Sequence, residues 1–272
     1  MIDQLGREEL IGALSRIGES LPRKVKVFMI GGGAMALRGE KVATKDVDII
    51  LTTDNDMELI CESIRNMGFH HANRIPEGCE ALVDAEIFEG DDRGVRFDLF
   101  LRRVCNGLEL SEGMISRSDC YQTFGNLVLM LCSREDIFLL KSVTERNRDL
   151  EDMLILFRKG LDESLILQEC AEQNNLINDQ ERIWESFLLV KLDEMEEEFE
   201  IRIPWKRRVR LVAEKLMIRA LILDKVREGI GNIPEISKDI GIEDRTIRKI
   251  SYELEKDGLI DIDRSSIRFH ID

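Results

Sequence analysis

The chain has 272 residues, of which 34% are charged and four are prolines, a composition typical of a helix-rich globular protein rather than a disordered one. It contains no run of about 18 apolar residues, so we expect no membrane span. The N-terminus lacks the basic and then apolar pattern of a signal peptide, which predicts a cytoplasmic protein. The net charge of -15 opposes broad attraction to nucleic acid, although it does not exclude a local basic patch.

Cysteine usage argues against a zinc site. The six cysteines form no C-x-x-C pair, and the chain has only three histidines. We therefore predict reduced thiols that are mostly buried. The cysteines are Cys61, Cys79, Cys105, Cys120, Cys132 and Cys170.

The first half of the chain alternates strand and helix patterns. Three glycines follow the first predicted strand directly, and a short helix over AMALRG follows them. This order predicts an α/β unit that extends to about residue 130. The other predicted elements are a helix over 7–17, strands over 24–30 and 47–51, a helix over 54–66 with Asp54 as its N-cap, and strands over 85–88 and 95–101 joined by the turn EGDDRG.

From Ser133 onward the pattern is helical. One long helix is predicted over SREDIFLLKSVTERNRDLEDMLILFRKG, and further helices extend to about Lys215. The last sixty residues predict a helix from Leu216 to Glu228, two helices around a tight turn at Gly241, and two short strands after Gly258. That order is typical of a winged helix-turn-helix.

Three acidic residues lie in a pattern that suggests metal chemistry. Asp46 and Asp48 are two apart on a predicted strand, so they share one face, and Asp98 lies in the middle of a later strand. Clustered carboxylates repel one another unless a cation lies between them, and Mg²⁺ prefers carboxylate and phosphate oxygens. The turn Gly31–Gly33 would let backbone N–H groups approach phosphates closely. Each motif alone also fits a tight turn or surface acids, but their combined order favours phosphoryl transfer.

These motifs carry a resemblance to a known superfamily. The stretches IGGGAMAL, TKDVDI and FDL resemble the nucleotidyltransferases that share the DNA polymerase β fold. The fuller pattern is similar to the branch containing AbiEii-type toxins. The resemblance covers roughly residues 20 to 160, and it implies an α+β fold with three parts. These are a nucleotidyltransferase domain over 1–132, a helical region over 133–215 and a winged helix over 216–272.

The resemblance also implies roles for individual residues. Gly31 and Gly32 would hold the phosphates of the NTP, and Thr44 occupies the Ser/Thr position of the motif. Asp46, Asp48 and Asp98 would bind Mg²⁺ or Mn²⁺, and Asp98 would help to deprotonate the acceptor hydroxyl. In the branch, a helix bearing a Lys, an Arg and two Asp follows, which here are Lys141, Arg146, Asp149 and Asp152. Relatives carry an Arg shortly before the D-x-D; here Arg38, Lys41 or Lys45 would substitute.

The KSVTERNRDLED segment also has an interpretation that needs no ligand. Lys141, Glu145, Arg148 or Asp149, and Asp152 fall at i, i+4 spacing, which predicts a surface salt-bridge ladder on one helix. In the first interpretation Lys141 reaches the triphosphate as a point charge. The two interpretations differ in whether this stripe faces solvent or the active site.

The C-terminal region has two candidate surfaces for nucleic acid. Between Gly231 and Asp272, ten acids face seven bases, so a packing or dimerisation role is an alternative to DNA contact. Trp205 beside the second basic cluster could stack on a base or lie in the core. The candidate contact residues are Arg245, Arg248 and Lys249 in one surface and Lys206, Arg207, Arg208 and Arg210 in the other.

The leading hypothesis is therefore a metal-dependent transfer of NMP from an NTP to a hydroxyl acceptor. The acceptor would be an RNA 3′ end such as that of tRNA, a protein or a small molecule. A toxin role, with an antitoxin partner, follows only from the branch resemblance. The alternative is a transcription regulator that senses a nucleotide and binds DNA through the winged helix.

Overall fold

We analysed a computed structural model of the chain. The structure describes residues 5–72, 85–90, 96–104, 107–144, 146–176, 182–263 and 266–270. Cys79, Cys105, Val95 and Glu145 lie outside these ranges, as does most of the predicted turn EGDDRG. The predictions made for these residues therefore stay predictions.

Strands and helices alternate in the first half of the chain, as the sequence predicted. In chain order the elements are β1 (Leu5–Gly6), α1 (Arg7–Ser20), β2 (Val25–Met29), α2 (Gly31–Leu37), β3 (Ala43–Thr44), β4 (Asp46–Leu51), α3 (Asp54–Asn66), β5 (Phe69–His71), β6 (Glu86–Gly90), β7 (Arg96–Leu101), β8 (Arg103–Val104), β9 (Leu108–Glu109), α4 (Glu112–Arg117), β10 (Asp119–Phe124) and β11 (Leu127–Leu131).

Helices dominate the second half, and a small hairpin ends it. The elements are α5 (Arg134–Ser142), α6 (Asn147–Arg158), α7 (Glu163–Leu176), α8 (Trp184–Phe199), α9 (Lys206–Arg227), α10 (Ile233–Ile240), α11 (Asp244–Lys256), β12 (Ile260–Asp263) and β13 (Ser266–Phe269). The predicted α+β class is confirmed.

A mixed sheet organises the first half. Within the described residues its strand order is β10-β11-β2-β4-β7-β6-β5. β4 lies at the centre, antiparallel to β2 and parallel to β7. Helix α1 contacts β10 and β11, whereas α3 contacts β4 and β7, and α2 contacts β4 and α5. The central strands are therefore covered by helices, which agrees with their nearly continuous apolar sequences.

The buried side chains form two separate clusters. The first extends from Leu5 to Val209 and contains the sheet and the helices up to the start of α9. The second extends from Ile222 to Ile267 and joins the end of α9 to α10, α11 and the β12–β13 hairpin. Helix α9 begins at Lys206, well before the predicted start at Leu216, so one continuous helix reaches both clusters.

The predicted long helix after Ser133 is broken between α5 and α6. Thr144 accounts for the break, because its single hydroxyl proton is shared between the Lys141 carbonyl at 3.0 Å and the Asp149 carboxylate at 2.6 Å. Such side chain–backbone bonds compete with helix propagation. Lys141 lies on α5 and Asp152 on α6, so the prediction of one helical stripe was wrong.

Smaller differences concern helix ends. The predicted N-cap Asp54 is wrong, since Thr53 caps α3 and accepts from the Asp56 N–H at 3.2 Å. Helix α2 begins at Gly31 itself, so the three glycines are its first turn.

Two expectations from composition can be compared with the structure. Cys61, Cys132 and Cys170 are buried and Cys120 is exposed, which confirms the prediction of mostly buried thiols for the described cysteines. None of the helices within the described ranges has the length and apolar character needed to cross a membrane.

Two glycines of α1 give a matched test of this packing. A Cβ on Gly18 would lie 1.7 Å from the Phe124 carbonyl oxygen, whereas a Cβ on Gly12 would meet no atom within 4 Å. We expect Gly18→Ala to lower the free energy of unfolding by about 2–3 kcal/mol or more. Gly12→Ala should raise it by about 0.5–1 kcal/mol, because alanine favours the helix. Urea denaturation of both variants checks this, and equal effects would contradict the packing of α1 on the β10–β11 hairpin.

Candidate active site

The parallel pairing of β4 with β7 brings the three predicted carboxylates together. In this register Asp46 lies opposite Arg96, and Asp48 lies opposite Asp98. Because residues two apart on a strand share a face, all four side chains lie on one side of the sheet. The structure thus brings together Asp46, Asp48 and Asp98, together with an arginine that the sequence analysis did not single out.

Two arginines offset part of the negative charge of this group. Arg96 donates two hydrogen bonds of 2.7 Å to the fully buried Asp98 carboxylate, and its Nε lies 3.4 Å from Asp46 Oδ1. Arg148, from the first turn of α6, donates to Asp46 Oδ2 at 3.2 Å. Bidentate arginine–carboxylate pairs are among the stronger charged contacts, so Asp98 is held in a fixed orientation.

Asp48 is the carboxylate with the least compensation. In the described part of the chain, no group donates a hydrogen bond to it. Burial, followed by the charges of Asp98 and Asp46, raises its pKa to about 8. Burial also raises the pKa of Asp98, although Arg96 opposes the shift. A cation beside Asp48 would offset the charge of its ionised carboxylate and lower its pKa.

The glycine turn lies directly against these acids. Gly31 has a φ of +61°, and a Cβ there would lie 2.3 Å from Asp48 Oδ2. A Cβ on Gly32 would lie 2.7 Å from Thr44 Oγ1, and Thr44 itself donates to the Asp46 carbonyl at 2.9 Å. The absence of side chains therefore lets the start of α2 approach β4 closely. The first N–H groups of a helix lack intrahelical partners and suit an anion.

A cavity of about 310 Å³ opens above the carboxylates. It lies between the glycine turn and β4 on one side and helices α5 and α6 on the other. Its lining contains cations and acids together with a few apolar side chains. The lining residues are Ile30, Gly31, Gly32, Lys41, Ala43, Thr44, Lys45, Asp46, Asp48, Phe100, Ile137, Leu140, Lys141, Thr144, Arg146, Arg148, Asp149, Glu151 and Asp152.

Lys141 lies in the wall of this cavity, but its ammonium is already engaged. It is bonded to Asp149 Oδ1 and to Asp152 Oδ2, each at 2.7 Å, and its side chain is 9% exposed. Burial lowers its pKa, but the two carboxylates outweigh burial and raise it overall. Lys41 binds the other oxygen of Asp152 at 2.7 Å. The acids of this network are buried, so the alternative of a surface salt-bridge ladder was wrong.

The basic cluster at the start of α9 lies away from the cavity. Lys206 pairs with Asp193 and Glu196, and Arg210 pairs with Asp193 at 3.1 Å. Arg208 lies 4.0 Å from Glu163, and Arg207 is exposed. These acids offset much of the positive charge predicted for nucleic-acid contact.

Trp205 and the basic residues of α11, the remaining candidates for nucleic-acid contact, also have defined positions. The Trp205 ring packs on Phe138 with 6.1 Å between centroids, which favours its core interpretation over base stacking. On α11, Arg245 and Lys249 are exposed and Arg248 is half-buried.

Arg96 and Arg148 are the site residues that sequence reasoning missed. A signal for Arg96 was present, because it lies two residues before Asp98 on the same strand and must share its face. Arg148 could not be assigned, since its position depends on the break between α5 and α6. Of the proposed substitutes for the motif arginine, Lys41 and Lys45 line the cavity, whereas Arg38 donates to the Leu131 carbonyl at 3.3 Å.

The donor set fits a hard divalent cation in part. Across the described ranges, no three His, Cys, Asp or Glu side chains form a group that could hold a metal by themselves. Mg²⁺ is usually bound by only one or two carboxylates, with phosphate oxygens and water completing its shell. Asp48, whose carboxylate accepts no hydrogen bond from the described residues, meets that smaller requirement together with Asp46.

Comparisons with known proteins give little further guidance. No protein-family model and no curated protein matches the chain. Among solved structures it is similar to a "putative nucleotidyltransferase from H. pylori", with 15% identity, 92% of this chain and 95% of that chain covered, and a TM-score of 0.37. A likeness of this size establishes neither a shared fold nor a shared activity. Function is therefore inferred from the geometry of the site.

The raised pKa of Asp48 predicts a dependence of stability on pH. The folded protein holds the Asp48 proton more tightly than the unfolded chain, so the free energy of unfolding should fall as pH rises from about 4 to about 8. Asp48→Asn should remove this contribution. Between pH 5 and 8.5 its free energy of unfolding should fall by at least about 1 kcal/mol less than that of the native chain. Urea denaturation at both pH values measures the difference. Equal losses would contradict the raised pKa.

The Lys141 network predicts a structural effect. Lys141→Met leaves two buried carboxylates without their shared cation, so the free energy of unfolding should fall by about 3–5 kcal/mol. Lys159→Met, at the exposed C-cap of α6, is the matched control and should change it little. Denaturant unfolding compares the two. A native-like stability of Lys141→Met would show that Asp149 and Asp152 are well solvated.

Proposed function

We propose that this chain is a metal-dependent nucleotidyltransferase that transfers NMP from an NTP to a hydroxyl acceptor and releases pyrophosphate. The observation that carries the proposal is the in-register pairing of Asp48 with Asp98, beside Asp46 and under the Gly31 turn, with Asp46 and Asp48 lining one cavity. Carboxylates gathered at a phosphate-accessible turn suit a cation and a triphosphate together.

In this reaction the acceptor oxygen forms a bond to the α-phosphorus as the bond to the bridging oxygen of pyrophosphate breaks. Mg²⁺ or Mn²⁺ would neutralise the charge that develops on the phosphoryl oxygens. Asp46 and Asp48 would hold the cation, and the N–H groups at Gly31 and Gly32 would face the phosphates. Asp98 keeps both oxygens on Arg96 in this structure. Its role as metal ligand and as acceptor of the hydroxyl proton therefore requires Arg96 to move aside.

The regulator hypothesis has less support. A protein that only senses a nucleotide has no need for three carboxylates crowded on one sheet face, because that arrangement costs stability without a cation. We interpret α9 to β13, with their own buried cluster, as a winged helix that supports acceptor binding or packing. An RNA 3′ end, a protein and a small molecule are the acceptor classes to be compared.

The test is transfer of labelled NMP. We expect the chain, given each α-³²P-labelled NTP, Mg²⁺ and total cellular RNA plus protein, to label one acceptor band on a denaturing gel. The Asp46→Asn, Asp48→Asn variant should lose about 100-fold or more of this activity, because the cation loses its ligands. Asp54→Asn, an identical change at an exposed position on α3, should keep it.

Two results would decide against the proposal. Labelling that persists in the Asp46→Asn, Asp48→Asn variant would contradict the role of these carboxylates. Absence of pyrophosphate release with any NTP and with all three acceptor classes would contradict the transferase activity itself.

A further inference from the structure

The cations that line the cavity differ in how firmly their own side chains are held. Lys141 is buried and bound by two carboxylates, and Lys41 is bound to Asp152 at 2.7 Å. Arg96 is not in the lining, and both of its hydrogen bonds of 2.7 Å go to Asp98. Moving Arg96 or Lys141 toward a phosphate would break two charged contacts of 2.7 Å to buried carboxylates, which is costly, and moving Lys41 would leave Asp152 with Lys141 alone.

Arg148 is held differently. It lines the cavity, its side chain is 45% exposed, and its contact with Asp46 is a single bond of 3.2 Å. It lies in the first turn of α6, and its guanidinium reaches Asp46 of β4. Its partner Asp46 is also one of the two acids that would bind the cation. Arg148 and the cation therefore compete for the same carboxylate.

We propose that Arg148, rather than Lys141, binds the β- and γ-phosphates of the NTP, and that the incoming cation releases it from Asp46. This inference rests on the proposed function. When the cation binds Asp46, the positive charge of Arg148 loses its carboxylate and gains a triphosphate beside it. A guanidinium offers two parallel N–H donors that match the oxygens of a phosphate. One exchange of partners thus keeps the charges of Arg148 and Asp46 paired before and after the nucleotide enters.

Lys45 and Arg146 also line the cavity and add positive potential. Neither donates a hydrogen bond to Asp46, so neither is released when the cation binds there. The link between cation binding and phosphate binding therefore belongs to Arg148. Lys141 instead fixes α5 to α6 and so positions the first turn of α6.

The first experiment compares nucleotide affinities by calorimetry with Mn²⁺ and no acceptor. Arg148→Gln should weaken NTP binding by about 10- to 100-fold and NMP binding by less than about threefold, since NMP lacks the outer phosphates. Arg158→Gln, the same change at an exposed site in the last turn of α6, is the control and should bind both as the native chain does.

The second readout separates partner exchange from a structural role. Without nucleotide, Arg148→Gln should bind Mn²⁺ as tightly as the native chain or more tightly, because a competitor for Asp46 is gone. A residue that only supports the fold would weaken Mn²⁺, NMP and NTP binding together. That uniform loss would overturn the inference.

The outcomes also separate this inference from the proposed function. Native NTP affinity in Arg148→Gln, together with lost affinity in Asp48→Asn, would overturn the inference and leave the nucleotidyltransferase proposal standing. Failure of the native chain to bind any NTP with Mn²⁺ would overturn both. An NTP-specific loss in Arg148→Gln with retained Mn²⁺ binding supports the inference.

Discussion

The parallel pairing of β4 with β7 sets Asp48 beside Asp98, and much of the site depends on the resulting crowding of negative charge. Water cannot screen these carboxylates fully, because Asp98 is buried and Asp48 is covered by the Gly31 turn. The protein reduces the repulsion with Arg96 on the sheet and Arg148 from α6, and burial raises the pKa of Asp48 to about 8. Each of these compensations is one that a cation can replace.

Most residues at the floor of the site, namely the aspartates of β4 and β7 and the glycines of α2, could be identified from the sequence. The spacing of two residues between Asp46 and Asp48 placed both on one face of β4, and the glycines marked the close approach of α2 to β4. The sequence did not reveal the register between β4 and β7, which are far apart in the chain. A shift of one residue would put Asp98 on the opposite face, and only the packed sheet excludes that shift.

The wall of the cavity was harder to predict, because periodicity gives no sign of a helix break that a side chain causes. The apolar spacing around Ser133 to Arg158 fits one long helix, yet the Thr144 hydroxyl bonds to the Lys141 carbonyl and to Asp149 and stops it. The break turns α6 back, so that Asp149 and Asp152 meet Lys141 within a buried network rather than along a surface. Arg148 therefore lines the cavity in the structure, whereas one continuous helix would have placed it on a surface stripe.

Helix α5 provides the rigid support that this arrangement needs. Near its start, Asp136 is bound by Arg117 at 2.6 Å, and Arg117 also binds the buried Glu169 of α7. At its other end Lys141 joins α6 through Asp149 and Asp152. A helix fixed at both ends by buried ion pairs resists small displacements, and metal-assisted phosphoryl transfer tolerates little misplacement. Stability alone does not explain these ion pairs, because apolar side chains packed in their place would stabilise the fold as well. Their presence at both ends of α5 is accounted for if the first turn of α6 must hold a phosphate-binding arginine at a fixed distance from the carboxylates of β4.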